Sequence, residues 1–536
     1  MQKNLSNLIF IFSLCLVITN CANRGTPSGG IKDIIPPKII KSIPENYSTN
    51  FNGKDIKIYF DEYIKINNLQ RQLIISPPMN TTPEVSPQGS ASKYITIKIH
   101  DTLQPNTTYS FNFGNSIIDN NEENPYSYYK YVFSTGDYID SLQVKGNIID
   151  AIKQKPDPFI SVRLYEIDSS FNDSVVYNKL PKYVTNTLDS VTTFNLENLK
   201  AGKYMLIAIK DANEDNKFQQ KTDQIGFYKK FITVPSDSLY TIKLFKEEND
   251  FKVIRPRLVA GEKIAFGFQG DYKKTKINVK SNVPVDYKYA ITKDEKTDSL
   301  NYWFEPRLKD VDSLIFMVTN KNYNEDFTIK ISDQKRDSLI VKASPKGTIV
   351  FNEDFIISAN IPFKEIDERK ITILDKDSTN VEYSVVLDTL TNEYTFNFDK
   401  VEEGKYYFQA LPEAFKDFFG NKNDTLNYTM RTKKISDYGD LRVTLKNAIY
   451  PIIVQLTNEK GEVKTERYST KPEVIDFRHL NPENYYLRVI FDTNKNKYYD
   501  SGNYLKKIQP ERVSYYPILI EEVRANWNPI IEVILD

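Results

Sequence analysis

Two short runs of oxygen-bearing side chains are the clearest sign of chemistry in the 536 residues. They are Asp211-Ala-Asn213-Glu-Asp215 and Asp492-Thr-Asn494-Lys-Asn496. Alternating Asp and Asn in a tight loop point hard oxygens to one side, the donor set that Ca²⁺ prefers. They predict a structural calcium ion, not a catalytic one. Two parts of a complete calcium loop are missing. Asn216 and Lys497 stand where the turn glycine would be, and Thr222-Asp223 and Gly502-Asn503 lie where a bidentate Glu would fall. Lys495 and Lys497 also place positive charge inside the second loop. The competing reading is that these side chains bond their own backbone and shape turns. Other chemistry has little to draw on. The adjacent Asp61 and Glu62 would point to opposite faces of a strand. The two histidines, His100 and His479, are too few for a histidine-rich metal cluster. No phosphate-binding glycine loop, G-x-S-x-G or H-E-x-x-H motif is present.

The remaining reactive candidate is Cys21. Met1–Asn7 carries one positive charge, Lys3, and Leu8–Ile18 is an apolar run broken only by Ser13 and Cys15. That pattern reads as a secretory leader. Its eleven residues fall short of the roughly 20 that span a bilayer as a helix. The segment ending in Cys21 resembles the lipobox of bacterial lipoproteins, which implies that Cys21 is acylated and becomes the mature N-terminus. Asn20 stands where that pattern usually has Gly, Ala or Ser. Cys15 and Cys21 are the only cysteines. The mature chain is therefore expected to fold without disulfides, and no cysteine-type zinc site is available.

Composition describes a globular chain. Charged residues make up 26% and apolar residues 40%, the range of folded domains. Lys and Arg number 71, as do Asp and Glu. This balance argues against a nucleic-acid-binding surface, which would show basic excess. Tyrosine (36) and phenylalanine (31) are abundant, and both favour strands.

The elements that must position these residues are strands. Ile56-Lys-Ile58-Tyr-Phe60, Tyr94–Ile99, Tyr109–Phe113 and Tyr129–Phe133 alternate with period two. Pro, Asn and Gly turns separate them, and no long stretch has helical period. This predicts β-sandwiches. The runs Ile35–Pro44, Ile56–Glu62, Leu103–Tyr109, Ile118-Asp119 and Phe133–Gly136 resemble a bacterial Ig-like domain of the SbsA type. With Cys21 and the Gly/Pro-rich Ala22–Ile35 tether, residues 21–138 resemble the Ig-like lipoproteins of Bacteroidota. The resemblance implies a sandwich fold at the cell envelope and no particular chemistry. Residues 139–248 resemble a transthyretin-like sandwich.

The expected organisation is a signal peptide (1–20), a lipidated tether (21–35) and five β-sandwiches. The sandwiches are a bacterial Ig-like domain (36–138), a transthyretin-like domain (139–248), a domain of unassigned family (249–337), an Ig-like domain (338–436) and a second transthyretin-like domain (437–536). An internal repeat supports the array. Phe194-x-Leu196-x-x-Leu199-x-x-Gly202-x-Tyr204 matches Phe396-x-Phe398-x-x-Val401-x-x-Gly404-x-Tyr406, and less fully Ile475-x-Phe477-x-x-Leu480-x-x-Glu483-x-Tyr485. The glycine is expected to supply positive φ in the turn. The tyrosine is expected to reach back over the corner, as in Ig sandwiches.

Function is expected to be non-enzymatic. The leading expectation is a lipid-anchored outer-membrane scaffold or accessory subunit of an envelope complex, such as a β-barrel assembly or transport complex. Its partners would be the membrane, through acylated Cys21, and other outer-membrane proteins, with no nucleic acid. The periplasmic and surface faces both stay open. The alternative is a surface glycan-binding or adhesive lipoprotein using the tyrosine runs 126–131, 485–486, 498–499 and 515–516. An enzyme would have to work with carboxylates alone.

Overall fold

The computed structural model describes residues 33–188, 192–308, 311–521, 523, 525 and 527–535. Cys21, with the leader and most of the tether, lies outside them. The chain is all-β, with 48% of it in strands and 3% in helix. It divides into two compact units. One holds Met1–Gln143 with Lys182–Leu188 and Leu196–Ala201; the other holds Val144–Pro181, Asp189–Asn195 and Gly202–Asp536.

The first unit is built on one sandwich. Strands Ile39–Ile43, Asp55–Ile66, Ser92–Lys98 and Glu84–Ser86 form the larger sheet in that spatial order, with Ile117–Asp119 alongside Asp55–Ile66. Ile74–Ser76, Thr108–Asn112 and Lys130–Ser134 form the opposing sheet. Period two decides which side chains face inward. Ile56, Ile58 and Phe60 meet Ile95, Ile97, Phe111 and Phe133 in one apolar core.

The chain goes on to four further pairs of sheets, with a separate two-stranded sheet of Phe363–Ile366 and Phe415–Asp417 in the fourth. In the second sandwich, Leu142–Asp150 lies parallel to Leu239–Leu244, opposite a sheet that includes Ser161–Glu166, Gly202–Lys210 and Gln224–Phe227. In the third, Lys252–Ala260, Lys263–Gln269, Ser299–Glu305 and Lys288–Lys293 cover Lys276–Val279, Ser313–Asn320 and Tyr323–Lys330. In the fourth, a sheet around Phe355–Ala359 and Glu393–Phe398 packs on one around Lys405–Ala410 and Leu426–Arg431. In the fifth, Gly439–Lys446 lies parallel to Ile530–Ile534, over a sheet centred on Ile452–Thr457 and Tyr486–Phe491.

Aromatic contacts join successive sandwiches of the second unit. Trp303 of the third is buried, donates Nε1–H to Thr292 at 3.0 Å and meets Phe419 of the fourth edge-on at 6.2 Å. The Arg336 guanidinium covers Phe419 at 4.2 Å. Phe351 of the fourth lies 4.8 Å from the His479 ring of the fifth. His479 thus serves as a packing residue, with its backbone at φ 55°.

Candidate functional site

The two Asp/Asn loops fold alike. Each winds around its own first aspartate, and both adopt positive φ at the fourth and sixth positions: Glu214 and Asn216 in one, Lys495 and Lys497 in the other. The Asp211 carboxylate accepts from the N–H groups of Asn213 and Asn216 at 3.2 and 2.8 Å. Asp492, fully buried, accepts from those of Asn496 and Lys497 at 3.1 and 2.9 Å. Three further oxygens of the two runs are also engaged. Asp215 accepts from Lys217 N–H, Asn494 Oδ1 from Asn496 N–H, and Asn496 Oδ1 from Tyr498 N–H.

At Asp211 the countercharge is a side chain. The Arg163 guanidinium, wholly buried, pairs with it at 2.7 Å. Such a pair neutralises a carboxylate that would otherwise be costly to bury. A second carboxylate closes each loop. Buried Asp223 accepts from Ala212 and Gln219 N–H, and Glu511 accepts from Thr493 and Asp500 N–H. Asp223 stands beside the position where a calcium loop has its bidentate Glu, whereas Glu511, eighteen positions after Thr493, lies beyond any short pattern. Among the described residues, no group of three or more His, Cys, Asp or Glu side chains is placed to hold a metal ion.

The repeated tyrosine does cap a corner. Tyr406 Oη accepts from Val401 N–H at 2.6 Å, and Tyr485 Oη donates to the Asn481 carbonyl at 2.9 Å. The first sandwich has the same device outside the repeat: Tyr109 Oη accepts from Gln104 N–H at 2.9 Å. The expected role of the glycine needs correcting. Positive φ falls on Asn198, Glu403 and His479, while Gly202 and Gly404 have ordinary backbone. Glycine is required there by space, because a Cβ on Gly404 would stand 2.6 Å from Tyr406 Oη and one on Gly202 would stand 3.2 Å from Tyr204 Oη.

The second Asp/Asn loop leads into the most specific feature of the unit. Beyond it, residues 498–512 leave the fifth sandwich and lie against the second, with Tyr504 in its core and Tyr499 packed against that core. Tyr504 is fully buried there, among Met205, Ile207 and Phe227. Its N–H donates to Glu247 at 2.5 Å, and its hydroxyl donates to the Asp173 carbonyl at 2.9 Å. Burial raises the Tyr504 phenol well above its ordinary range, with the nearby Asp173 carboxylate adding to the shift, so it remains a donor at every physiological pH.

Gly502 lets the loop approach, since a Cβ would meet the Phe245 ring at 2.6 Å. Around this plug, Lys507 pairs with Asp173 at 2.5 Å, and the Gln509 amide reaches the Phe227 carbonyl at 3.1 Å. Arg488 and Tyr515 both donate to the Ile152 carbonyl. Two buried carboxyl groups belong to this junction, Asp150 and Glu247, and burial pushes both above the usual carboxylate range.

The junction explains where several tyrosines go. Tyr499, Tyr504 and Tyr515 serve it, and Tyr485 caps its own corner. Tyr131 is buried in the first sandwich and Tyr126 and Tyr129 pack against that core. Tyr498 stays 61% exposed, with the Lys273 ammonium 3.9 Å from its ring centre. Asp61 accepts from Lys38 N–H at 2.8 Å, a strand-edge role. His100 is exposed, 4.0 Å from Glu84.

A tandem β-sandwich protein is the class that this fold defines. Residues 33–135 match the family of the bacterial Ig-like domain. No curated protein matches the chain. Among solved structures, the chain is similar to domains 1–6 of surface layer protein SbsC, at 10% identity and a TM-score of 0.16; the match covers 86% of this chain and 66% of that one. It is similar to the Bacillus anthracis TIE protein, at 12% identity and a TM-score of 0.14, over 95% of this chain and 75% of that one. The I9–I11 tandem from titin matches at 11% identity and a TM-score of 0.12, over 53% of this chain and all (100%) of that one. At such TM-scores these likenesses carry no inference about this chain.

Proposed function

We propose that the chain is a non-enzymatic, lipid-anchored scaffold or accessory subunit of an outer-membrane protein complex. Acylation of Cys21 supplies the anchor, and the sandwiches supply docking surfaces for neighbouring outer-membrane proteins. The observation that supports this reading best is the junction between the second and fifth sandwiches. A chain that only spaces a ligand-binding head from a membrane needs no contact between domains so far apart in sequence. This chain buries Tyr504 in a core built around residues 151–245, which holds surfaces from both sandwiches in fixed register. Fixed surfaces suit a subunit that must present several contacts to one partner at once, because little ordering cost remains at binding. The bacterial Ig-like match at 33–135 is compatible with an envelope setting.

Crosslinking of intact outer membranes, followed by affinity capture of the chain, tests this. The expected result is stoichiometric recovery of at least one β-barrel protein, lost when the membranes are denatured before crosslinking. Recovery of the chain alone, with glycan as its sole saturable ligand, would replace the proposal by an adhesive role.

A further inference from the structure

We propose that the outer face of the larger sheet of the first sandwich docks flat on the lipid leaflet that holds the acyl chains of Cys21. The inference deepens the reading above and rests on its anchor. It begins from what the sheet register puts outside. Ile56, Ile58, Ile95 and Ile97 point into the core, so Lys57, Tyr59 and Tyr94 point out. Lys41 stands opposite Tyr59, and Ile43 opposite Lys57. The Tyr59 and Tyr94 rings lie 5.8 Å apart. A lysine covers each exposed ring: Lys41 at 5.2 Å from Tyr59, Lys57 at 5.7 Å from Tyr94 and Lys93 at 5.4 Å from Tyr63. Tyr63 is 56%, Tyr94 45% and Ile43 52% exposed.

A solvated sheet face is ordinarily polar. This one combines tyrosine rings overlaid by lysines with an exposed isoleucine, the combination that suits a membrane interface. Tyrosine rests at headgroup depth with its ring toward the chains and its hydroxyl in water. A lysine stem lies along the apolar surface while its ammonium reaches the headgroups. Lysines close to an anionic leaflet are drawn to its headgroups. The carboxylates nearby are partly diverted. Asp61 turns back to Lys38 N–H, and Glu84 stands 3.8 Å from Lys98; Asp55 lies at the end of its strand.

Chain length says which surface is within reach. Twelve residues lie between Cys21 and Ile34, so whatever their conformation Ile34 is no more than about 45 Å from the acylated residue. Tethering at that range gives an effective concentration in the millimolar region, so even a millimolar surface affinity produces docking.

The test separates docking from acylation. The full chain carrying Cys15→Ser keeps Cys21 as its only thiol, which can be joined to a maleimide lipid in vesicles of phosphatidylcholine with phosphatidylglycerol. Acetylation by a water-soluble reagent is then followed by mass spectrometry at Lys41, Lys57 and Lys93, with exposed Lys229 and Lys230 as references. Relative to the untethered chain without vesicles, labelling of the three is expected to slow at least about threefold while the references hold. The variant Ile43→Ser/Tyr63→Ser/Tyr94→Ser, checked for unchanged melting, should label at the free rate. Unslowed labelling on tethered vesicles would overturn the proposal. So would protection by a soluble acidic glycan with none on vesicles, which would assign the face to sugar. Metabolic labelling with an alkynyl fatty acid reports acylation of Cys21 separately, so loss of that signal removes the anchor reading without touching the docking result.

Discussion

At the scale of single residues, the corner tyrosines show how one hydroxyl and one missing Cβ fix a turn. Tyr406→Phe leaves Val401 N–H without its acceptor and is expected to cost about 1 kcal/mol, read as a lower urea midpoint at unchanged slope. Gly404→Ala should cost more, because its Cβ would overlap Tyr406 Oη. Glu262 gives a pH prediction. Burial pushes its carboxyl up, but hydrogen bonds and charge from Arg336 and Arg307 outweigh that and hold it below the usual range. A carboxyl depressed in the folded state contributes stability that is present above its unfolded pKa and lost as pH falls through the folded one. Thermal melts of wild type and Glu262→Gln should therefore differ most near neutral pH and converge below about pH 4. The repeat, its tyrosines and the Asp/Asn loops were legible in sequence. Arg163 and Glu511 were not, because each joins its loop from a distant position that no local pattern specifies.

Individual elements carry the junction of the second and fifth sandwiches. Tyr504→Ala would empty a fully enclosed site, at an expected cost of about 3–5 kcal/mol. Amide exchange should rise in Gly202–Lys210 and Gln224–Phe227, the strands that carry Met205 and Phe227, although they lie nearly three hundred residues earlier in the chain. Lys507→Glu, placed against Asp173, should loosen the same strands less. A sequence signal for this junction existed. Tyr204–Ile209, Ile452–Leu456 and Leu487–Phe491 are nearly continuous apolar runs in which period-two alternation is lost, and every residue of each is buried. A strand of that kind is covered on both faces. Alternation is a sound guide only where one face meets water.

At the scale of the molecule, the second sandwich depends on the fifth. Deleting residues 437–536 would uncover the socket of Tyr504 and leave Glu247 without the N–H that Tyr504 donates to it. The truncated chain is expected to bind a hydrophobic dye strongly and to lose the highest-melting part of its unfolding profile, by calorimetry. Sandwiches that merely follow one another would instead lose one transition and keep the rest. The succession of sandwiches was readable because alternating strands and Pro/Gly/Asn turns are local features. Which sandwich touches which is set by surfaces that meet only after each has folded.

Sequence alone determined that this chain is built of strands and that many of them bury Ile, Phe and Tyr at alternate positions. Those properties follow from spacing and residue type, which act over a few residues. Tertiary structure decided the rest: that Gly202 and Gly404 make room for rings rather than bend the chain, that Arg163 faces Asp211, and that a loop beginning at Asp492 ends inside another domain. The last two depend on segments far apart in the chain, where packing and burial, not local preference, select the partner; the first depends on where a ring two residues along settles in the folded corner.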